Sequence, residues 1–257
     1  MIQLDVLLVE ELKKNKIEDN FRLLLSCKFT YSFFIFIFGG LYLYMNREGL
    51  VTNKEIKQNK NFMYRNLRRS NCYGTDFTGS NFNFTSFRGA HFKSCNFFGC
   101  TFKGSEFIGT NFKKSKFRRA VFEDVIFEGV NLSGTDFRDA EFKHVIFINT
   151  DIDSAKNLYI KDEEVKIFND FPDIDISKEL ESAIKLAMTN EYIRESRVLD
   201  NKDGDINTIT VMVLLEKFSE KILISGLKQL SEKIDREFWT ISYIVKAIMK
   251  YQEQGIL

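Results

Sequence analysis

The side chains able to do chemistry are few and scattered. Only two of the 257 residues are histidine, His91 and His144, and four are cysteine, Cys27, Cys72, Cys95 and Cys100. No two cysteines form a C-x-x-C pair, so neither a zinc site nor a disulfide framework is indicated. The stretch Asp200-Asn201-Lys202-Asp203-Gly204-Asp205 has the look of a calcium loop. With Gly204 placed at the turn glycine, the first and twelfth ligand positions fall on Leu199 and Thr210, and neither fits the oxygen-ligand pattern. It reads as an exposed Asp-Gly turn between helices. There is no P-loop, no dinucleotide glycine fingerprint, no H-E-x-x-H and no G-x-S-x-G. Catalysis needs a base, a nucleophile or a metal gathered in one place. The sequence therefore points to a protein that is not an enzyme, with no metal and no cofactor.

The elements that carry these residues are set by a repeat. From Phe62 to Ile152 an apolar residue recurs every five positions without a slip, and fifteen of the nineteen are Phe. The residue two before each is small, as at Ser70, Thr75, Ser80, Thr85, Ala90, Cys95 and Cys100. Gly often stands two after, at 74, 79, 89, 99, 104, 109, 129 and 134. A period of five is neither helical nor that of a strand. Two inward residues separated by two positions need a short extended segment, and the remaining residues must turn a corner. Gly at the third position of a four-residue turn suits a type II turn, where φ is positive. Repeated corners of one hand make a coil, and coils stack as parallel strands with Phe upon Phe. Cys72, Cys95 and Cys100 fall at inward positions and His91 and His144 at outward ones. The cysteines read as small buried hydrophobes.

The run GTDFTGSNFNFTSFRGAHFKSCNFFGCTFKGSEFIGTNF resembles the pentapeptide-repeat family in its Phe-centred form. The exit Ala155-Lys156-Asn157-Leu158 is similar to the usual passage from such a repeat into helices. The resemblance covers about residues 60 to 158. It implies a right-handed, four-sided β-helix of four to five coils, with four pentads per coil. Residues 20 apart then stack on one face, and the residue after each central apolar one looks outward. One outward column holds Arg68, Arg88, Ile108, Glu128 and Ile148. The next holds Tyr73, Lys93, Lys113, Ser133 and Asp153, and a third Thr78, Phe98, Arg118 and Arg138.

Formal charge is +1 overall, yet residues 60–119 carry twelve Lys or Arg against Asp76 and Glu106, and residues 120–155 are acidic. Arg68, Arg88, Lys93, Lys113 and Arg118, with Phe98, are candidates for a basic docking face. The bland alternative is a solvated surface. Ile108, Ile126, Ile146 and Ile148 should cluster on a late outer face. Two accounts fit such a patch: the chain's own C-terminal helices fold over it, or it meets a partner or a second copy in a homodimer.

Residues 1–59 and 159–257 flank the repeat. Residues 29–45, FTYSFFIFIFGGLYLYM, hold no charge and read as a transmembrane segment, with a buried cap of the first coil as the alternative. Unpaired inward cysteines place the repeat in a reducing compartment, the cytoplasm. After Leu158 the period becomes helical. Ser177 is a candidate N-cap for a helix through Leu180, Ile184, Leu186 and Ala187. Val211, Leu214, Leu215, Phe218 and Ile222 fit a second helix, residues 221–234 another, and Phe238 to Met249 a last one. The expected function is a non-catalytic interaction scaffold for a protein partner, membrane-anchored through residues 29–45. The net charge of +1 gives no global field that recruits or repels nucleic acid, and nucleic acid is not the expected partner. The resemblance adds two alternatives. One is a DNA mimic acting on type II topoisomerases, and the other a spacer module of a bacterial effector or conflict-system protein.

Overall fold

The structure, a computed structural model, describes residues 49–161, 163–201 and 203–257. The apolar segment 29–45 lies outside the described residues. Residues 48–257 form one compact unit made of a β-solenoid followed by five helices.

Ten short strands build the solenoid: β1 (Val51–Asn53), β2 (Asn71–Tyr73), β3 (His91–Lys93), β4 (Thr101–Lys103), β5 (Glu106–Ile108), β6 (Val121–Glu123), β7 (Ile126–Glu128), β8 (Glu141–Lys143), β9 (Val145–Ile148) and β10 (Val165–Phe168). Every strand pair within it is parallel and offset by 20 residues, as Cys72 on Phe92 and Phe107 on Phe127. The first face is β1-β2-β3, the third β4-β6-β8 and the fourth β10-β9-β7-β5. The second face is joined by single bridges such as Asp76 to Asn96 and Asn96 to Lys116. The solenoid has about six turns, more than the four to five expected. The early coil is hidden in the sequence because Thr52 and Lys57 occupy places where later repeats carry Phe. The extra rung at the other end is β10, which stacks on β9 beyond Leu158.

The five-residue unit has a physical reason at each position. The central rings fill the interior without solvent contact from Phe77 to Phe127. On the second and third faces they stack nearly parallel: Phe97 lies 4.7 Å from Phe117 at 4°, and Phe82 lies 5.3 Å from Phe102 at 6°. Each fully buried Phe contributes roughly 2–3 kcal/mol. Where the residue two before the ring is Ser, Thr or Cys, it closes a buried bond to the preceding coil. The hydroxyls of Ser105, Thr110, Ser115 and Thr135 donate to the carbonyls of Phe82, Phe87, Phe92 and Phe112 at 2.6–2.9 Å. Cys100 Sγ does the same toward Phe77 at 3.1 Å. The residue before the ring is often Asn or Asp, and its side chain accepts the N–H two residues on, as Asn61 from Met63 and Asp136 from Arg138. The corner residue has positive φ whether or not it is Gly: Gly74, Gly79 and Gly89 share this region with Tyr64, Phe84, Ser94 and Lys114.

The helices are α1 (Lys178–Ala187), α2 (Glu191–Ser196), α3 (Thr208–Lys217), α4 (Glu220–Lys233) and α5 (Ile241–Glu253). Ser177 caps α1 as expected, its Oγ accepting from Leu180 N–H at 3.1 Å. The second expected helix is broken in two. Phe218 is extended and Ser219 opens α4, so Ile222 belongs to the next helix. The short α2, capped by Asn190, was not legible. Leu186, placed on the apolar face of α1, is exposed. Leu180, Ile184, Leu214, Leu223, Leu227, Ile244 and Ile248 form the bundle's own core.

Candidate functional site

The bundle docks on the fourth face of the solenoid. Ile126, Ile146 and Ile148 are buried there against Ile209, Met212 and Val213 of α3 and against Phe168 and Phe171. This corrects their assignment as partner-binding residues: the chain's own helix covers them. Ile108, one coil earlier on the same face, is half-buried.

Charge holds the same interface. Arg68 donates to the carbonyls of Glu195, at 3.0 Å, and Ser196, and stacks on the Trp239 ring at 4.9 Å. Arg88 donates to Arg197 O at 2.8 Å. Both guanidinium groups thus meet the C-terminal end of α2, where carbonyls lack helical partners. Glu106, fully buried on the same face, accepts Ile241 N–H at 2.6 Å and so caps the N-terminus of α5. Thr240, in the capping position, makes no such bond. Burial brings Arg68 down to about 10, helped by Arg88, and it stays cationic at neutral pH. Burial pushes the Glu106 carboxyl above its ordinary range. Arg68 and Arg88 were expected on an open docking face; they are internal fasteners instead. The outward direction was correct, but what stands opposite a column is decided by residues more than a hundred positions away.

Among the described residues no helix lies on the first or second face. Lys93 and Lys113 lie on the first, Phe98 and Arg118 on the second, as the repeat arithmetic placed them. One coil gathers Lys113, Lys114, Lys116, Arg118 and Arg119. Lys113, Lys114, Lys116 and Arg119 are exposed, as is Arg138 one coil on. Arg119 lies 5.7 Å from the exposed Phe98 ring. Arg118 pairs with Asp136 at 2.6 Å. Against the cost of burial, bonds from Asn157, Arg118 and Arg138 N–H hold the Asp136 carboxyl low. The result is a cationic belt around the open sides.

The remaining chemistry-bearing residues do not assemble. Cys72, Cys95 and Cys100 are buried and free, and burial pushes the Cys95 and Cys100 thiols up to about 12. His91 is exposed on the first face. His144 stands on the third–fourth corner, 3.7 Å from Asp124 and 3.9 Å from Glu164. In the Asp200 loop, Asp200 pairs with Arg197, and the Asn201 side chain accepts the N–H groups of Asp203 and Asp205. Among the described residues no group of three or more His, Cys, Asp or Glu could hold a metal ion, and no helix is long and apolar enough to cross a membrane.

A four-sided stack of five-residue units with Phe at its centre defines the class of repeat. The family model for pentapeptide repeats matches residues 61–93, 95–134 and 127–156 in eight copies. Residues 61–156 of this chain, apart from Ser94, therefore match the pentapeptide-repeat pattern. Several solved structures are similar to this solenoid. Rfr23 from the cyanobacterium Cyanothece 51142 is 18% identical, over 47% of this chain and 99% of its own, with a TM-score of 0.25. QnrB1, a plasmid-mediated fluoroquinolone resistance protein, is 19% identical over 48% and 84%, with a TM-score of 0.22. HetL, involved in heterocyst differentiation regulation in Nostoc sp. strain PCC 7120, is 14% identical over 45% and 67%, with a TM-score of 0.21. No curated protein matches the chain.

Proposed function

We propose that this chain is a non-catalytic interaction scaffold whose open first and second faces dock an acidic protein surface. One observation carries the reading. Among the described residues, the bundle occupies the fourth face and leaves the belt of Lys113, Lys114, Lys116, Arg118 and Arg119 uncovered. Five cations in one coil, with Asp136 already engaged by Arg118, give the open sides a sign that the net charge of +1 conceals. A rigid stack presents them at fixed backbone spacing, so binding orders their side chains but not the chain that carries them. The rings of Phe98 and Tyr73, both exposed, supply apolar contact beside the charges. A mimic of duplex DNA would want an acidic rod, which the belt is not.

The test is binding of poly-glutamate by the full chain as salt is raised, compared with the variant Lys113→Glu, Lys114→Glu, Lys116→Glu, Arg119→Glu. Saturable binding that weakens with salt and vanishes in the variant is expected. Equal binding by parent and variant would sink the proposal. Tighter binding of a DNA duplex than of poly-glutamate would replace the protein partner with nucleic acid.

A further inference from the structure

The joint between the bundle and the solenoid is not filled. Where α3 and α5 cross the third–fourth corner, a cleft of about 540 Å³ remains. That lies within the range of small-molecule sites, roughly 300–1,000 Å³. Its apolar lining comes from Ile126 and Ile146 of the solenoid, Val213 of α3, and Val245 and Met249 of α5. Met249 is 44% exposed although α5 otherwise buries its apolar side chains. Ile126, Ile146 and Val213 are shared with the α3 contact and Val245 with the bundle core, so Met249 is the most exposed apolar group of the lining.

The polar groups around the cleft are sorted by end. Stacked corner residues, 20 apart, run along it in the order Phe84, Gly104, Asp124, His144 and Glu164. From Gly104 to Glu164 is three coils, about 14 Å by the strand spacing. At the early end stand Lys103 and Lys246, with the first residues of α5, and Lys217 reaches in from α3. Lys103 and Lys217 lean on Glu123 at 2.9 Å and Asp124 at 3.2 Å, in solvent-exposed or half-exposed pairs that an incoming anion can share. Lys246 has no carboxylate in ion-pair reach among the described residues. Its Nζ rests 3.4 Å from the Phe84 ring and donates to Tyr64 Oη at 2.8 Å. At the late end Glu163 and Glu164 supply negative charge beside the paired Lys166 and Glu216, and a Glu164 oxygen there is buried without a hydrogen-bond partner among the described residues.

We propose that this cleft binds an amphipathic anion: a single carboxylate or phosphate head at Lys246, Lys103 and Lys217, with an acyl chain laid over Ile126, Ile146, Val213 and Met249. The acidic late end repels the head and so sets the direction of the chain. The apolar lining takes the tail, and the length of the corner column suits a medium chain. Tight cationic ligands are disfavoured at the end where the lysines converge. The site stands apart from the cationic belt, which lies on the first and second faces.

Titration calorimetry of the full chain with decanoate and with decyl phosphate tests this, with decylamine as the opposite-charge control. One saturable site for the two anions is expected. Lys246→Glu and Met249→Trp should each weaken it about tenfold or more, the first at the head and the second by filling the slot. The fourfold belt reversal should leave it unchanged, which separates this site from the docking face. Capture of free decanoate alone marks a soluble acyl anion as the source. Sedimentation with phosphatidylglycerol vesicles that Met249→Trp abolishes marks a lipid. The proposal fails if no saturable binding occurs or if decylamine binds as tightly. It also fails if both variants melt like the parent and keep the parent's affinity.

Discussion

Each position of the five-residue unit answers a different physical demand. The ring buries area, the small residue two before it leaves room and, as Ser, Thr or Cys, bonds to the preceding coil, and the corner residue must accept positive φ. Gly meets the last demand at no steric cost, but Ser94, Lys114, Arg119 and several others meet it under strain. A left-handed conformation costs an ordinary residue roughly 1–2 kcal/mol, while Gly loses about 0.5–1 kcal/mol in backbone entropy on folding. The first effect wins at a site where the side chain does nothing else. Ser94 is such a site, since its backbone N–H bonds to Lys113 O and its hydroxyl has no hydrogen bond in the structure. Ser94→Gly should raise stability by about 0.5–1 kcal/mol, read from the urea midpoint at constant slope. A lower midpoint would mean that the corner is not strained.

At the scale of elements, the solenoid and the helices meet through the apolar face of α3, through helix ends and at one bare backbone position. Gly104 is buried at φ +61°, and a Cβ there would come within 2.8 Å of the Phe84 ring and would also crowd Ser242 of α5. Gly99 has nearly the same φ, +62°, and open space around it. The two glycines therefore separate backbone strain from helix docking. Gly99→Ala should cost about 1 kcal/mol from φ alone. Gly104→Ala should cost about 1–3 kcal/mol more, because the corner is overpacked against α5. Chemical denaturation of both variants measures the difference. Equal losses would show that α5 tolerates displacement from the corner.

For the whole molecule, the buried charges tie stability to pH. Burial raises the Glu106 carboxyl, while Ile241 N–H, Arg88 and Arg68 pull it down and Glu128 pushes it up. The folded chain thus keeps this proton to higher pH than the unfolded chain does. Its contribution to stability is fully present below about pH 4, the ordinary Glu range, and is lost as pH rises through the raised folded value. Glu106→Gln cannot ionise, and its amide oxygen can still accept from Ile241. The variant should lose less stability than the parent between about pH 5 and 8, followed as denaturant midpoints. Parallel pH curves would place the titration elsewhere. Glu128, raised by burial as well, is the group to examine in that event.

The coil itself was legible in the sequence, because its interactions join residues at a fixed separation. A residue meets its neighbours 20 positions away whatever lies beyond the repeat, so inward Phe, free buried Cys and the columns of Lys93, Lys113, Phe98 and Arg118 could be placed by counting. The early coil at Thr52 escaped because its side chains leave the hydrophobic pattern while its backbone keeps the stack, and the last rung because Asn157 and Asp162 interrupt the period before Val165 and Ile167 resume it. The fate of each outward column was not periodic. Arg68, Arg88, Glu106 and the isoleucines on the fourth face acquire their partners from the helices and the segment before α5, through contacts distant in sequence, such as the 135 residues between Glu106 and Ile241. Sequence alone thus determined what each face presents. Only the tertiary structure decided which face the bundle covers, because docking depends on matching helix ends to buried charges across segments that share no period.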